Sequence, residues 1–398
     1  MYPYLITQQL SSMLVRSMIL VLASSMLVDY FFLGKYKVLL TANQKGYVVV
    51  TIQSIGTIVN MIVTIVLILQ GAPVVLTKAV ATLVYILRFF AVRAYVKRNY
   101  PETDYHAMPN MEALHQRGAA LLHQVVGIIV NNTDVVLLTV CLGARSLIEV
   151  SVYGIYNMIV YALNMLLTSF SNGLTAGFGE VISKGEKEVL RKSFTGYEYM
   201  YMIVLFAICT CMAILILPFV MIYTKNIQDA NYVRPMAAML FVVIVFLQNI
   251  RIPGQTIICA AGHFRETRGQ AVLEAVINVV ISLSLVWKWG MLGVLFGTVC
   301  SYGYRSIEII IYNWKYLVHG TGKNTIKRLL RNLVVSAVVI TVGLQIVPQT
   351  MDSFVSWFGY AVMVGMISGV VFLGINYVCE PKECKALFER GKSIWKRT

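Results

Sequence analysis

Residues 118–172 read GAALLHQVVGIIVNNTDVVLLTVCLGARSLIEVSVYGIYNMIVYALNMLLTSFSN. Two apolar runs stand back to back here, each long enough to cross a bilayer, and each carries a polar stripe. In the first, Gln124, Gly127, Asn131 and Asp134 recur at spacings of three, four and three. In the second, Gly154, Asn157, Tyr161, Asn164, Thr168 and Asn172 repeat the pattern. Such spacing puts each set on one face of a helix. An Asp at the centre of a bilayer costs about 2.5–3.5 kcal/mol on an insertion scale, so it turns toward a partner or toward water. The stretch predicts a polar interior between membrane helices, the usual setting of a transport path.

The rest of the chain agrees. Its 398 residues are 58% hydrophobic and 13% charged, with mean hydropathy +0.73. That composition excludes a soluble domain and predicts an all-α, multi-pass integral membrane protein whose first partner is the lipid bilayer. Eleven spans are expected: 11–34, 48–70, 72–96, 118–142, 149–173, 197–223, 234–261, 269–288, 290–314, 330–348 and 355–378. The net charge of +15 is a topology signal. Alternate loops and the tail 379–398 hold 24 of the 33 Lys and Arg, whereas the loops between them hold Arg145, Lys225, Arg234 and Lys288. The basic loops and the C-terminus are therefore expected in the cytoplasm. Nucleic acid is not needed to explain the charge. Eleven spans would then leave the N-terminus outside.

Several spans carry ionisable groups. Arg16 and Asp29 lie near the two ends of the first, where snorkelling explains them. Lys78 and Arg88 in the third span either snorkel or line a cavity for an anion. In span 234–261, Gln248, Arg251 and Gln255 fall at spacings of three and four beside Pro253 and Gly254. A proline there frees a carbonyl and kinks the helix. Arg251 is either a moving substrate contact or a stationary ion pair. Gln270, Glu274, Asn278 and Ser282 line one face of the next span. Arg305 and Glu308, three apart, are expected to pair on their own helix. Residues 178–194 read either as a helix lying on the membrane or as a solvated basic loop. Span 197–223, uniformly apolar, is expected to face lipid, and the last two spans, without a polar stripe, to be accessory.

Enzyme motifs are missing. Asp29, Asp104, Asp134, Asp229 and Asp352 are too scattered for a metal–diphosphate motif, and no HExxH occurs. GTGKNT at 320–325 lacks the leading glycine of a phosphate loop, because position 317 is Leu. The seven Cys have neither disulfide nor zinc spacing. The expectation is a transporter with no catalytic residue, metal or cofactor.

Six stretches, in order, resemble the Wzx-like polysaccharide-unit flippases of the multidrug/oligosaccharidyl-lipid/polysaccharide (MOP) exporter superfamily. They are KVLLTANQKGYVVVTIQSIG (37–56), NNTDVVLLTV (131–140), SVYGIYNMIV (151–160), FGEVISKGEKEVLRKSF (178–194), LPFVMIYTKNIQDANYVRP (217–235) and AAGHFRETRGQAVLEAVINVVISLSLVWKWGMLGVLFGTV (260–299). The resemblance implies two helix bundles around a cavity, in the plasma membrane of a bacterium. It divides the chain into a partial N-terminal bundle (1–96), a cytoplasmic linker (97–117), a six-helix bundle (118–316), two accessory helices (317–378) and a basic tail (379–398). It begins at what resembles the fourth helix of the family, so the first bundle is expected to lack about three helices.

The implied function is flipping of polyprenyl-diphosphate-linked oligosaccharides for cell-surface polysaccharide, alongside polysaccharide-assembly proteins. Export of drugs or of lipid II within the same superfamily, and a non-transporting remnant, are the alternatives. A diphosphate calls for Arg or Lys and sugars for amides and aromatic faces. Arg251, then Arg88 and Lys78, are the expected diphosphate contacts. Gln124, Asn131, Asn157, Tyr161, Asn164 and Gln255 are expected along the sugar path, and Asp134 and Glu274 as ion-coupling carboxylates.

Overall fold

The computed structural model describes residues 12–43, 45–101, 117–171, 174–348 and 350–384. Every regular element among them is helical, and eleven helical stretches are long and apolar enough to cross a membrane. Contacts divide the chain into two compact units, Met1–Asn110 and Met111–Thr398. Most of the 97–117 linker, the tail beyond Cys384, and Asn172 lie outside the described residues.

In the first unit, α1 (Ser12–Leu27) passes through a π-helical turn, Val28–Leu33, into α2 (Gly34–Ala42). Lys37 holds Asp29 at 2.8 Å within this span, so Asp29 is paired rather than merely snorkelling. Helices α3 (Gly46–Leu69) and α4 (Val74–Asn99) form a hairpin whose turn needs Gly71 at φ 72°. Its core gathers Leu33, Tyr36, Leu40, Val48, Val92 and Val96, while most of the remaining apolar side chains are exposed, as a bilayer permits.

The second unit contains α5 (Arg117–Cys141), α6 (Ser146–Ser169), α7 (Leu174–Ser183), α8 (Lys187–Tyr223), α9 (Pro235–Ile250), α10 (Ile252–Ala261), α11 (Phe264–Trp289), α12 (Met291–Tyr312), α13 (Lys323–Ile346) and α14 (Phe354–Cys379). Its centre is α8, which packs against α6, α9, α13 and α14 and has most of its apolar stretch buried. This corrects the expectation that 197–223 faces lipid. A helix apolar all round suits a protein core as well as a bilayer, and here the core takes it.

Both readings of 178–194, a helix lying on the membrane and a solvated basic loop, are also corrected. The segment is two elements, broken at Gly185 (φ 71°). Its apolar residues Phe178, Leu190 and Phe194 are buried against Ile257, Trp314 and Val318. The stripe covers protein, not membrane.

Helices α11 and α12 approach most intimately where Gly293 and Gly297 stand four apart on α12. A Cβ at Gly297 would lie 2.7 Å from the Ser282 backbone nitrogen, and one at Gly293 would lie 2.5 Å from the Leu285 carbonyl oxygen. Small residues at this spacing let backbones meet where no hydrophobic effect drives association. The close contact fixes the register of Glu274, Asn278 and Ser282 against α12.

Candidate functional site: a charged cavity at a helix break

The site grows from the break between α9 and α10. Pro253 is the second residue of α10 and has no N–H to continue the ladder. The chain turns at Arg251, and α10 resumes with the Gln255 N–H donating to the Arg251 carbonyl at 2.9 Å. Gly254 lets the break settle onto α12, since a Cβ there would collide with Ile309 and the Asn313 side chain.

Beside the break lies a cavity of about 500 Å³. It is bounded by α5 (His123, Gln124, Asn131), the end of α6 (Thr168, Ser171), α7 (Thr175), the break itself (Gln248, Arg251, Gln255, Thr256), α11 (Thr267, Glu274) and α12 (Tyr302, Arg305). Arg251 hydrogen-bonds Glu274 and stacks its guanidinium 4.6 Å from the centre of the Tyr302 ring. Arg305 reaches both Glu308, at 2.5 Å, and Glu274, at 3.5 Å. Two arginines and two glutamates thus form one cluster, each side chain no more than 15% exposed. Partnered charges are what a membrane interior tolerates.

Deeper along α5, Asp134 is 3% exposed. Thr298 donates to its carboxylate at 2.9 Å and Tyr153 at 3.1 Å. Asn278 donates to the Thr298 hydroxyl at 3.1 Å, and Ser282 to the Val294 carbonyl at 3.2 Å. Among the described residues Asp134 has no basic partner, unlike Glu274.

The structure gathers Gln124, Asn131, Arg251, Gln255, Glu274 and Arg305 around this one cavity, with Glu308 joined through Arg305. Asn131 also accepts from the Tyr302 hydroxyl at 3.2 Å. Asn164 stands behind the lining, bonded to Gln248 and to the fully buried Asn249. Asn157 and Tyr161 are exposed on α6 and do not line the cavity; Tyr161 is 72% exposed. Lys78 and Arg88 belong to the first unit. Lys78 is exposed, and Arg88 lies against Gly56 and donates to Thr57 at 3.0 Å.

Sequence reasoning missed Asn249, His123 and Tyr302. It also missed a second polar cluster, on the two last spans, which were expected to be accessory and to carry no polar stripe. Arg328, 1% exposed, meets Glu380 at 2.5 Å and Glu198 at 3.6 Å. Arg331 bonds Glu380 and Asn376, and Asn376 donates to Asn332 at 2.9 Å. The cluster fastens both helices to α8. Its signal was in the sequence as Glu198, Asn332 and Asn376 inside apolar spans.

No protein-family model matches the chain, and no curated protein does. Among solved structures, it superposes on one described as lipid II flippase MurJ in an inward closed conformation. The TM-score is 0.61 at 15% identity, over 92% of this chain and 75% of that one. The fold is similar to that of MurJ. It is the all-α architecture of eleven span-length helices expected from composition and hydropathy.

Proposed function

We propose that the protein flips a polyprenyl-diphosphate-linked oligosaccharide across a bacterial plasma membrane, with its C-terminus in the cytoplasm. One observation carries the reading. A cavity among helices long and apolar enough to cross a membrane places Arg251 at a helix break, held by Glu274, among amide and hydroxyl groups. The arginine offers a fork for a diphosphate, and Glu274 keeps it neutralised when no anion is bound. Gln124, Asn131, Gln255 and Thr168 offer donors and acceptors to sugar hydroxyls. The MurJ-like fold supports movement of a lipid-linked substrate rather than an enzymatic reaction. Asp134, buried and without a basic partner among the described residues, is the carboxylate proposed to couple transport to a cation gradient; Na+ and H+ are the two cations to test.

The test is reconstitution in liposomes with a fluorescent polyprenyl-diphosphate oligosaccharide, followed by accessibility to an impermeant glycosidase. Wild-type protein should equilibrate the lipid between leaflets, and Arg251→Ala should not, while inserting normally. Full activity of that variant would remove Arg251 from the role.

A second reading is favoured by the solved structure itself, whose description names lipid II as its cargo. Running the same assay with lipid II separates the two, because only the preferred head group should compete for transport at low concentration.

A further inference from the structure

Beyond the flipping reaction, the second unit carries another cavity, of about 560 Å³, formed where spans end. It lies between the α5–α6 turn, the segment entering α9 and the α11–α12 turn. Four basic residues occupy the sparsely charged loops of the chain, and three of them, Arg145, Arg234 and Lys288, line this one cavity. The loop rule that sorts Lys and Arg to the opposite side would leave these positions neutral. Their convergence is therefore a feature to be explained.

Glu149 is the one carboxylate in the lining. It takes both guanidinium nitrogens of Arg234, at 2.8 and 3.0 Å. Among the described residues, Arg145 and Lys288 have no acidic partner. The cavity thus keeps two uncompensated positive charges. The first turns of α9 and α12 also border it, neither closed by a side-chain cap, and the positive ends of these helix dipoles add to the field. Trp287 and Trp289, 69% and 51% exposed, stand at the same helix end. Exposed indoles at a span terminus sit at headgroup depth.

We propose that this cavity binds the phosphate of a membrane lipid at the leaflet opposite the basic loops. Arg145 and Lys288 contact the phosphate oxygens, Arg234 is fixed by Glu149 as the rear wall, and the tryptophans flank the tail as it enters the bilayer. The ligand is a phosphate anion on an acyl or prenyl tail. Its source is either an ordinary anionic phospholipid or a polyprenyl diphosphate. The site does not depend on which substrate the other cavity carries.

The experiment places the full chain in nanodiscs of phosphatidylcholine doped with either phosphatidylglycerol or undecaprenyl diphosphate. Retained lipid is counted by native mass spectrometry. Wild-type protein should retain an anionic lipid that the double variant Arg145→Gln/Lys288→Gln binds at least tenfold more weakly. Both side chains are exposed, so the substitutions open no void. Lys225→Gln, a basic loop residue outside the cavity, should leave retention unchanged. Loss of both lipids in the double variant identifies a general headgroup site, and loss of undecaprenyl diphosphate alone identifies a carrier-lipid site; either upholds the assignment. Undiminished retention in the double variant, or an equal loss with Lys225→Gln, overturns it.

Discussion

Arg251 and Asp134 are both buried ionisable groups, yet they stand in opposite situations. Arg251 shares Glu274 with Arg305, so removing Arg251 leaves the glutamate one cation rather than none. Breaking a buried pair costs about 3–5 kcal/mol when the survivor is stranded. Arg251→Ala should fall below that range, and Arg251→Ala/Glu274→Gln should regain part of the loss. Thermal unfolding in nanodiscs measures both. A merely structural pair predicts that the repaired double variant transports as well as it folds. The proposed role predicts that it folds and does not transport. For Asp134, Asn keeps the shape and the capacity to accept from Thr298 and Tyr153 but removes the charge. Asp134→Asn should fold and should lose any response of transport to an imposed Na+ or H+ gradient. A gradient response equal to wild type would exclude Asp134 as the coupling group. Both residues stood out in the sequence because a charge in an apolar span is rare. Which of them had an oppositely charged partner was not legible, since Glu274, which pairs with Arg251, lies on another helix, 23 residues along the chain.

At the scale of elements, the tightest constraint is the α11–α12 contact. Gly297→Ala would drive a methyl group against the Ser282 backbone, which cannot rotate away, and overpacking of this kind costs about 1–3 kcal/mol. Gly269→Ala, on α11 with open space around it, should instead be neutral or stabilise by about 0.5–1 kcal/mol through helix propensity. Melting temperatures of the two variants should move in opposite directions or differ clearly in size. The α13–α14 attachment makes a pH prediction. Burial pushes the Glu380 carboxyl up, but the hydrogen bonds and charges of Arg328 and Arg331 outweigh it, and the net shift is downward. A depressed carboxyl contributes stability above its unfolded-state value and loses it as pH falls through the folded one. Acidification below the ordinary glutamate range should therefore weaken this attachment, and Glu380→Gln should flatten that part of the stability profile. The helices themselves were legible, because length and hydropathy define a span. The neighbours of each span were not. A bilayer and a protein core select the same apolar residues, which is why α8 reads as lipid-facing and lies at the centre of its unit. Phe178, Leu190 and Phe194 show the same limit at the membrane surface, where an amphipathic stripe fits a lipid headgroup layer and a neighbouring helix equally.

For the whole molecule, orientation rests on charge asymmetry rather than on packing. The basic loops contain Lys187 and Lys315, and the sparse loops contain Lys225. All three are exposed, so each can be replaced by cysteine in a chain whose own seven cysteines have been removed. With a membrane-impermeant maleimide on intact cells, Lys225→Cys should label at once. Lys187→Cys and Lys315→Cys should label only after the membrane is opened. Orientation also decides what the two cavities mean. In the expected direction, the cavity of Arg145 and Lys288 meets lipid at the outer leaflet, where a phosphate that has crossed would arrive. If Lys187→Cys and Lys315→Cys label in intact cells and Lys225→Cys does not, the bundle is inverted. That cavity would then face the leaflet from which a carrier lipid is loaded, and the order in which a phosphate meets Arg145 and Arg251 would reverse.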